Sequence, residues 1–136
     1  MSLELSFSSL LTMVQDETGL VVPVSLMAGK QELDVDAYLD TGAKYCVFPR
    51  WIGTSLGIDV ESGEEISLGT GGGPLVCYLH YLTLRIGSLY FDVVPICFTK
   101  FDSFPRCLLG REGWLQKVKI GIVTYEDQLY LGVYDE

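Results

Sequence analysis

Apolar residues fall at alternate positions at Leu33, Val35, Ala37 and Leu39, with Glu32, Asp34, Asp36 and Tyr38 between and around them. A period of two is that of a β-strand with one face buried and the other in water. The strand runs directly into Asp40-Thr41-Gly42, where the alternation stops. Ahead of it, Leu20 to Met27 is rich in β-branched residues and is followed by Ala28-Gly29-Lys30, a turn signal, so two strands are expected on either side of a tight reversal. Residues 4–13 read as a first strand or a loose arm.

Beyond Gly42 the apolar runs stay short. Cys46-Val47-Phe48-Pro49 reads as a brief strand, and Arg50 to Leu56 as one helical turn ahead of Gly57. Glu65 to Leu68 and Leu75 to Ile86 flank Gly69-Thr70-Gly71-Gly72-Gly73-Pro74, the pattern of a hairpin with a flexible glycine tip. Gly87-Ser88 turns the chain into another strand, Leu89 to Phe98, and Lys100 to Arg106 reads as a loop. Arg111 to Lys117 is the best helix candidate, and Lys119 to Tyr125 and Gln128 to Tyr134 are the last two strands expected. Nothing reads as a linker, repeat or low-complexity tail. Residues 1–136 are therefore expected to form a single all-β domain, a small closed or folded-over barrel with one short helix near 111–117.

Composition agrees with this and narrows the chemistry. Apolar residues make up 49% of the chain, enough for a core at this length without a cofactor or staple. The net charge of −9, from 18 acidic and 9 basic residues, argues against a nucleic-acid or anionic-membrane binder, which needs basic patches. No run approaches the ~20 apolar residues of a membrane span. The four cysteines, Cys46, Cys77, Cys97 and Cys107, form no Cys-x-x-Cys pair, and His80 is the lone histidine, so no metal site is expected. Cysteines in apolar runs read as small core residues. The N-terminus lacks a basic segment ahead of its serine-broken apolar stretch, and a reducing, cytoplasmic setting is expected.

The candidate chemistry lies at the end of the alternating strand. A strand fixes the backbone of Asp40, and Gly42 lets the chain turn sharply enough to bring N–H groups near its carboxylate. Taken alone, the tripeptide also fits a solvated Asx turn. One carboxyl does not readily hydrolyse a peptide. Two carboxyls that share a proton can, because like charges push the two titrations apart and leave one group ionised and one protonated. The chain has a single Asp-Thr-Gly, so a catalytic Asp40 would need its partner from a two-fold-related copy.

Three motifs in order resemble those of the retropepsin-like aspartic proteases. Leu39-Asp40-Thr41-Gly42-Ala43 resembles the family's active-site motif. Leu68 to Leu75 resembles the glycine-rich flap that closes over substrate. Leu108-Leu109-Gly110-Arg111 resembles the apolar-apolar-glycine segment beneath the active-site loop. The spacings, roughly thirty residues and then roughly forty, suit the family, and the likeness spans about residues 20–132. The resemblance implies an acid-protease barrel that acts as a homodimer on a peptide or protein substrate, without a cofactor. It implies that Asp40 is the catalytic carboxylate and that Thr41 bridges to its equivalent across the dimer. Gly42 and Ala43 would line the cleft, and Gly71, Gly72 and Gly73 would meet substrate at the flap tip. Residues 4–13 and 128–134 are the candidates for closing the dimer.

The chain departs from the family at Lys44, where retroviral members often carry an acid that pairs with the arginine equivalent to Arg111. Arg111 is therefore expected to pair with an acid elsewhere or to face solvent, and Cys46 to fill the core, with a redox-sensitive point near the site as the alternative. The glycine run lacks the Gly-Lys-Ser/Thr ending of a phosphate cradle. His80 reads as a surface strand residue, Asp34 and Asp36 as a solvated strand face, and Trp51 and Trp114 as core or interface residues. Two rival readings remain at this level: a catalytically silent module of the same fold for dimerisation or peptide binding, and a small-ligand β-barrel with a fortuitous motif.

Overall fold

A computed structural model describes residues 1–136. In chain order the strands are β1 (Ser9–Thr12), β2 (Val14–Gln15), β3 (Leu20–Ala28), β4 (Gln31–Leu39) and β5 (Cys46–Phe48), followed by helix α1 (Arg50–Ser55). Then come β6 (Glu64–Thr70), β7 (Gly73–Ile86), β8 (Leu89–Thr99), β9 (Leu108–Leu109), β10 (Val118–Val123) and β11 (Gln128–Val133). The alternating segment and its neighbours thus form the expected strands.

Six strands close a ring in the order β3, β4, β9, β5, β8, β7 and back to β3. The closing contact is antiparallel, Ser25 to Arg85, Leu26 to Leu84 and Met27 to Thr83. It falls at a register shift between Leu82 and Leu84 in the β7–β8 ladder. Across that shift Val93 takes a positive φ of 56°. A bulge adds local twist, which bends β7 away from a flat ladder and onto β3. β6 and β2 extend the sheet outside the ring.

The core follows from the alternation. Val22, Val24 and Leu26 of β3, Ala37 of β4, Phe48 of β5, and Leu84, Ile86, Ile96 and Phe98 of β7 and β8 are buried together. Asp34 and Asp36 stay exposed on the outer face of β4, as their positions between apolar residues require. A second, three-stranded sheet of order β1, β11, β10 joins the two ends of the chain. Its Leu129 and Leu131 are fully buried in the same core as the barrel. Residues 4–13 and 128–134 therefore meet each other within one chain, Ser9 opposite Leu131 and Thr12 opposite Gln128.

The helix expected at 111–117 is a turn followed by a single 3-10 turn at Leu115–Lys117. Gly113 has φ +77°, which breaks the right-handed run, and a Cβ there would lie 2.4 Å from Pro95. The turn places Trp114 fully inside the core, while Trp51 on α1 stays half exposed. The one α-helix is α1, where a helical turn was expected. Its first N–H groups are satisfied from the 99–102 segment: Arg50 N–H donates to Thr99 Oγ1 and Trp51 N–H to Asp102 Oδ1 at 2.8 Å. His80 is half-buried, not on the open surface. Its Nε2 donates to the Val60 carbonyl at 2.7 Å and its ring packs against Phe98. No helix is long and apolar enough to cross a membrane.

Because Leu131 joins the terminal sheet to the barrel, Leu131→Ala should lower global stability by about 2–5 kcal/mol. Urea unfolding would measure this; an unchanged midpoint would mean that the terminal sheet folds apart from the barrel.

Candidate active site

β9 supplies two residues, both paired with β4 and the first, Leu108, paired with β5 as well. It runs parallel to β4, with Tyr38 opposite Leu108 and Leu39 opposite Leu109, and antiparallel to β5 at Val47. Tyr38 N–H donates to the Cys107 carbonyl at 2.8 Å and Asp40 N–H to the Leu109 carbonyl at 3.0 Å. The last backbone donor of the β4 ladder is thus that of Asp40 itself. After it the chain turns at once. Gly42 N–H donates to Asp40 Oδ1 at 2.9 Å, and Ala43 N–H donates to the Asp40 carbonyl. An Asx turn of this kind holds the carboxylate against its own loop.

The loop is clamped from below by the segment after β9. Arg111 N–H donates to the Ala43 carbonyl at 2.9 Å and Glu112 N–H to the Lys44 carbonyl at 2.7 Å. The Arg111 guanidinium donates through Nη1 to the Thr41 carbonyl at 2.9 Å. Arg111 therefore has a backbone acceptor in place of the absent acid. Gly110 N–H donates to Cys46 Sγ at 3.3 Å, so this buried thiol both fills space and accepts a bond. A Cβ on Gly110 would lie 2.2 Å from the Tyr45 carbonyl oxygen and 2.9 Å from that of Ala43. Only glycine lets the two segments lie this close.

Asp40 opens onto a cavity of about 410 Å³ between the loop that follows β4 and the β6–β7 hairpin. Gly42, Ala43, Lys44 and Tyr45 form one wall, and Ser67, Leu68, Gly69, Thr70 and Leu75 form the other. Phe104 and Leu108 close it. A smaller hollow of about 190 Å³ meets the first at Asp40 and Leu108 and is lined further by Tyr38 and Arg106. A cleft elsewhere, also about 410 Å³, holds Ser25, Asp34 and Arg85. Its polar groups bond to one another, with Arg85 donating to Ser25 at 2.9 Å and Ser25 to Asp34 at 2.5 Å, so it is less ready for a ligand.

Beside the smaller hollow, the Tyr38 hydroxyl donates to Asp16 Oδ2 at 2.6 Å. That bond first, then the Thr18 and Gly19 N–H groups and the nearby Arg106 charge, hold the Asp16 carboxyl below its usual range. The same bond holds the Tyr38 hydroxyl above its own. Burial acts on the thiols. It pushes Cys46 and Cys77 up to about 11 and Cys97 and Cys107 up to about 12. All four cysteines are free thiols.

The aspartyl protease family profile matches residues 22–113, which include Asp40, the hairpin and β9. The chain belongs to the aspartyl protease family. A search of curated protein sequences returned no match. Among solved structures, the chain is similar to a retropepsin-like aspartic protease from Rickettsia conorii, at 17% identity and a TM-score of 0.66. The alignment covers 90% of this chain and 98% of that one. The likeness establishes a retropepsin-like fold, and the family makes this protease an aspartic endopeptidase.

Of the residues singled out from sequence, Asp40, Gly42 and Ala43 share one cavity wall. Thr41 is exposed and does not line it. Gly71, Gly72 and Gly73 are exposed at the hairpin tip with open space around each, so the hairpin reaches the cavity through 67–70 and Leu75 instead. Tyr45, Phe104, Arg106 and Leu108 line the two hollows without having been proposed as cleft residues. Leu108 carried a signal, the apolar pair before Gly110; Phe104 and Arg106 lie in a loop whose sequence has no period.

Two expectations follow from the clamp and the thiols. Gly110→Ala should cost about 3 kcal/mol or more, read by thermal or urea unfolding, because two backbone segments must separate. In the native protease at pH 8, a thiol reagent should react far more slowly than after denaturation. Unfolded thiols ionise near 9 and the folded ones resist to about 11–12. Stability should therefore be fully present below pH 9 and decline as pH rises through that window, since the unfolded chain releases protons first. Rapid labelling of the native fold would contradict this.

Proposed function

We propose that the protease works as a homodimer in which Asp40 of each copy supplies one carboxyl of a catalytic pair. The observation that carries this reading is that Asp40 is the sole carboxylate lining either hollow that meets at it. A second carboxyl has to come from outside the chain. A water held between the two carboxyls would lose a proton to the ionised one as it attacks the scissile carbonyl, which the protonated one polarises. No covalent intermediate forms. Thr41 would bridge to its equivalent beneath the pair, with its carbonyl kept in place by Arg111. Substrate would lie extended along the cleft as an added strand, meeting Gly42, Ala43 and the hairpin, with Gly71, Gly72 and Gly73 folding over it. The terminal sheet offers two open edges, β1 and β10, and exposed Leu10, Ile122 and Val123 for closing the dimer. Four free thiols support a reducing, cytoplasmic setting.

Asp40→Asn should lower peptide cleavage by on the order of a thousandfold or more while unfolding stays cooperative and the dimer persists in sedimentation. Wild-type activity should follow a bell-shaped pH profile and fall faster than linearly on dilution as dimers dissociate. Full activity in the variant would remove Asp40 from the mechanism. A wild-type dimer that cleaves no peptide from acidic to neutral pH would favour a silent peptide-binding module.

A further inference from the structure

The chain carries 18 acidic and 9 basic residues, yet the two hollows that meet at Asp40 hold two cations, Lys44 and Arg106, and no other acid. They lie on different sides of the candidate carboxylate, Lys44 in the larger hollow and Arg106 in the smaller. Each is set over a tyrosine ring: Lys44 Nζ lies 5.3 Å from the Tyr45 centroid and Arg106 Cζ 5.9 Å from that of Tyr38. Such seating narrows the positions a long side chain samples. Neither cation belongs to an ion pair. The two pairs present are Arg50–Glu61 at 3.1 Å and Arg85–Glu32 at 3.3 Å. Asp16, the acid whose charge state Arg106 influences, is already served by Tyr38, Thr18 and Gly19. Arg111, by contrast, is committed to the Thr41 carbonyl.

We propose that Lys44 and Arg106 are specificity-determining residues and that the protease selects peptides with Asp or Glu side chains flanking the scissile bond. The inference rests on Asp40 being the cleaving carboxylate of a homodimer. In that dimer the two-fold axis repeats the pair of cations, so acids are favoured on both sides of the bond. The ammonium of Lys44 accommodates a carboxylate in many orientations, whereas the Arg106 fork favours bidentate pairing. The acidic excess elsewhere does not cancel this. Charges more than about 8 Å away are largely screened at physiological salt, while groups lining a cleft act at contact range.

The test compares paired peptides that differ only by Glu against Gln at positions within three residues of the cleaved bond. Wild-type kcat/KM should favour Glu by about fivefold at the best position on each side, and by less at high salt. Lys44→Glu and Arg106→Glu should each invert the preference at the position that side chain serves, with Lys then favoured over Gln. Thermal unfolding identifies any variant that fails to fold, and Lys44→Gln and Arg106→Gln, which should abolish the preference without inverting it, provide the second comparison. Cleavage by wild type with equal kcat/KM for Glu and Gln peptides would overturn the inference and leave the protease reading standing. Absence of cleavage of every peptide would overturn both.

Discussion

The insertion of Leu108 and Leu109 between β4 and β5 is the interaction on which the rest of the structure depends. Both residues pair in parallel with β4 and Leu108 also pairs antiparallel with Val47 of β5, so they join segments that would otherwise leave the barrel open. The same insertion delivers the Leu109 carbonyl to the Asp40 N–H and the Arg111 N–H to the Ala43 carbonyl. Barrel closure and carboxylate placement are thus one set of bonds. Gly110 is the condition for it, since any side chain there meets the Tyr45 carbonyl.

This economy fits the proposal that one chain supplies half of a site. The loop satisfies its own donors around one Asp40 carboxylate and leaves the far side of the cleft without a second acid. A fold that clamps one acid-bearing loop from beneath sets one carboxyl, that of Asp40, at the cleft. In the proposed homodimer a second copy supplies the other, and the β1–β11–β10 sheet, held on the core by Leu129 and Leu131, would give that copy a surface to meet. Arg111 shows how the arrangement tolerates Lys44: a guanidinium needs an oxygen acceptor, and the Thr41 carbonyl provides one. Lys44 is then free to face the cleft.

Much of this was legible in the residues. The alternation of Leu33, Val35, Ala37 and Leu39 marks β4 and its buried face, because pleating imposes a period of two. The glycine run between two apolar segments marks the hairpin, and Leu108-Leu109-Gly110 marks the clamp. The helix expected near 111–117 is confined to a 3-10 turn at Leu115–Lys117 for a local reason: propensity sees Arg-Glu-Gly-Trp-Leu-Gln-Lys, while burial of Trp114 and the positive φ of Gly113 demand a turn first. His80 lies on a strand as expected but is half-buried, since nothing nearby in sequence announces that the Val60 carbonyl lies beside it.

By itself, then, the sequence determined the strands, the acid at the end of β4 and the presence of a single Asp-Thr-Gly, since these rest on short-range periodicity and on a count of motifs. Tertiary structure alone decided what surrounds that acid. Arg106 and Lys44 are 62 residues apart by number and flank Asp40 only because β9 is threaded between β4 and β5. Contacts between distant segments depend on how the barrel closes, and no local pattern records that.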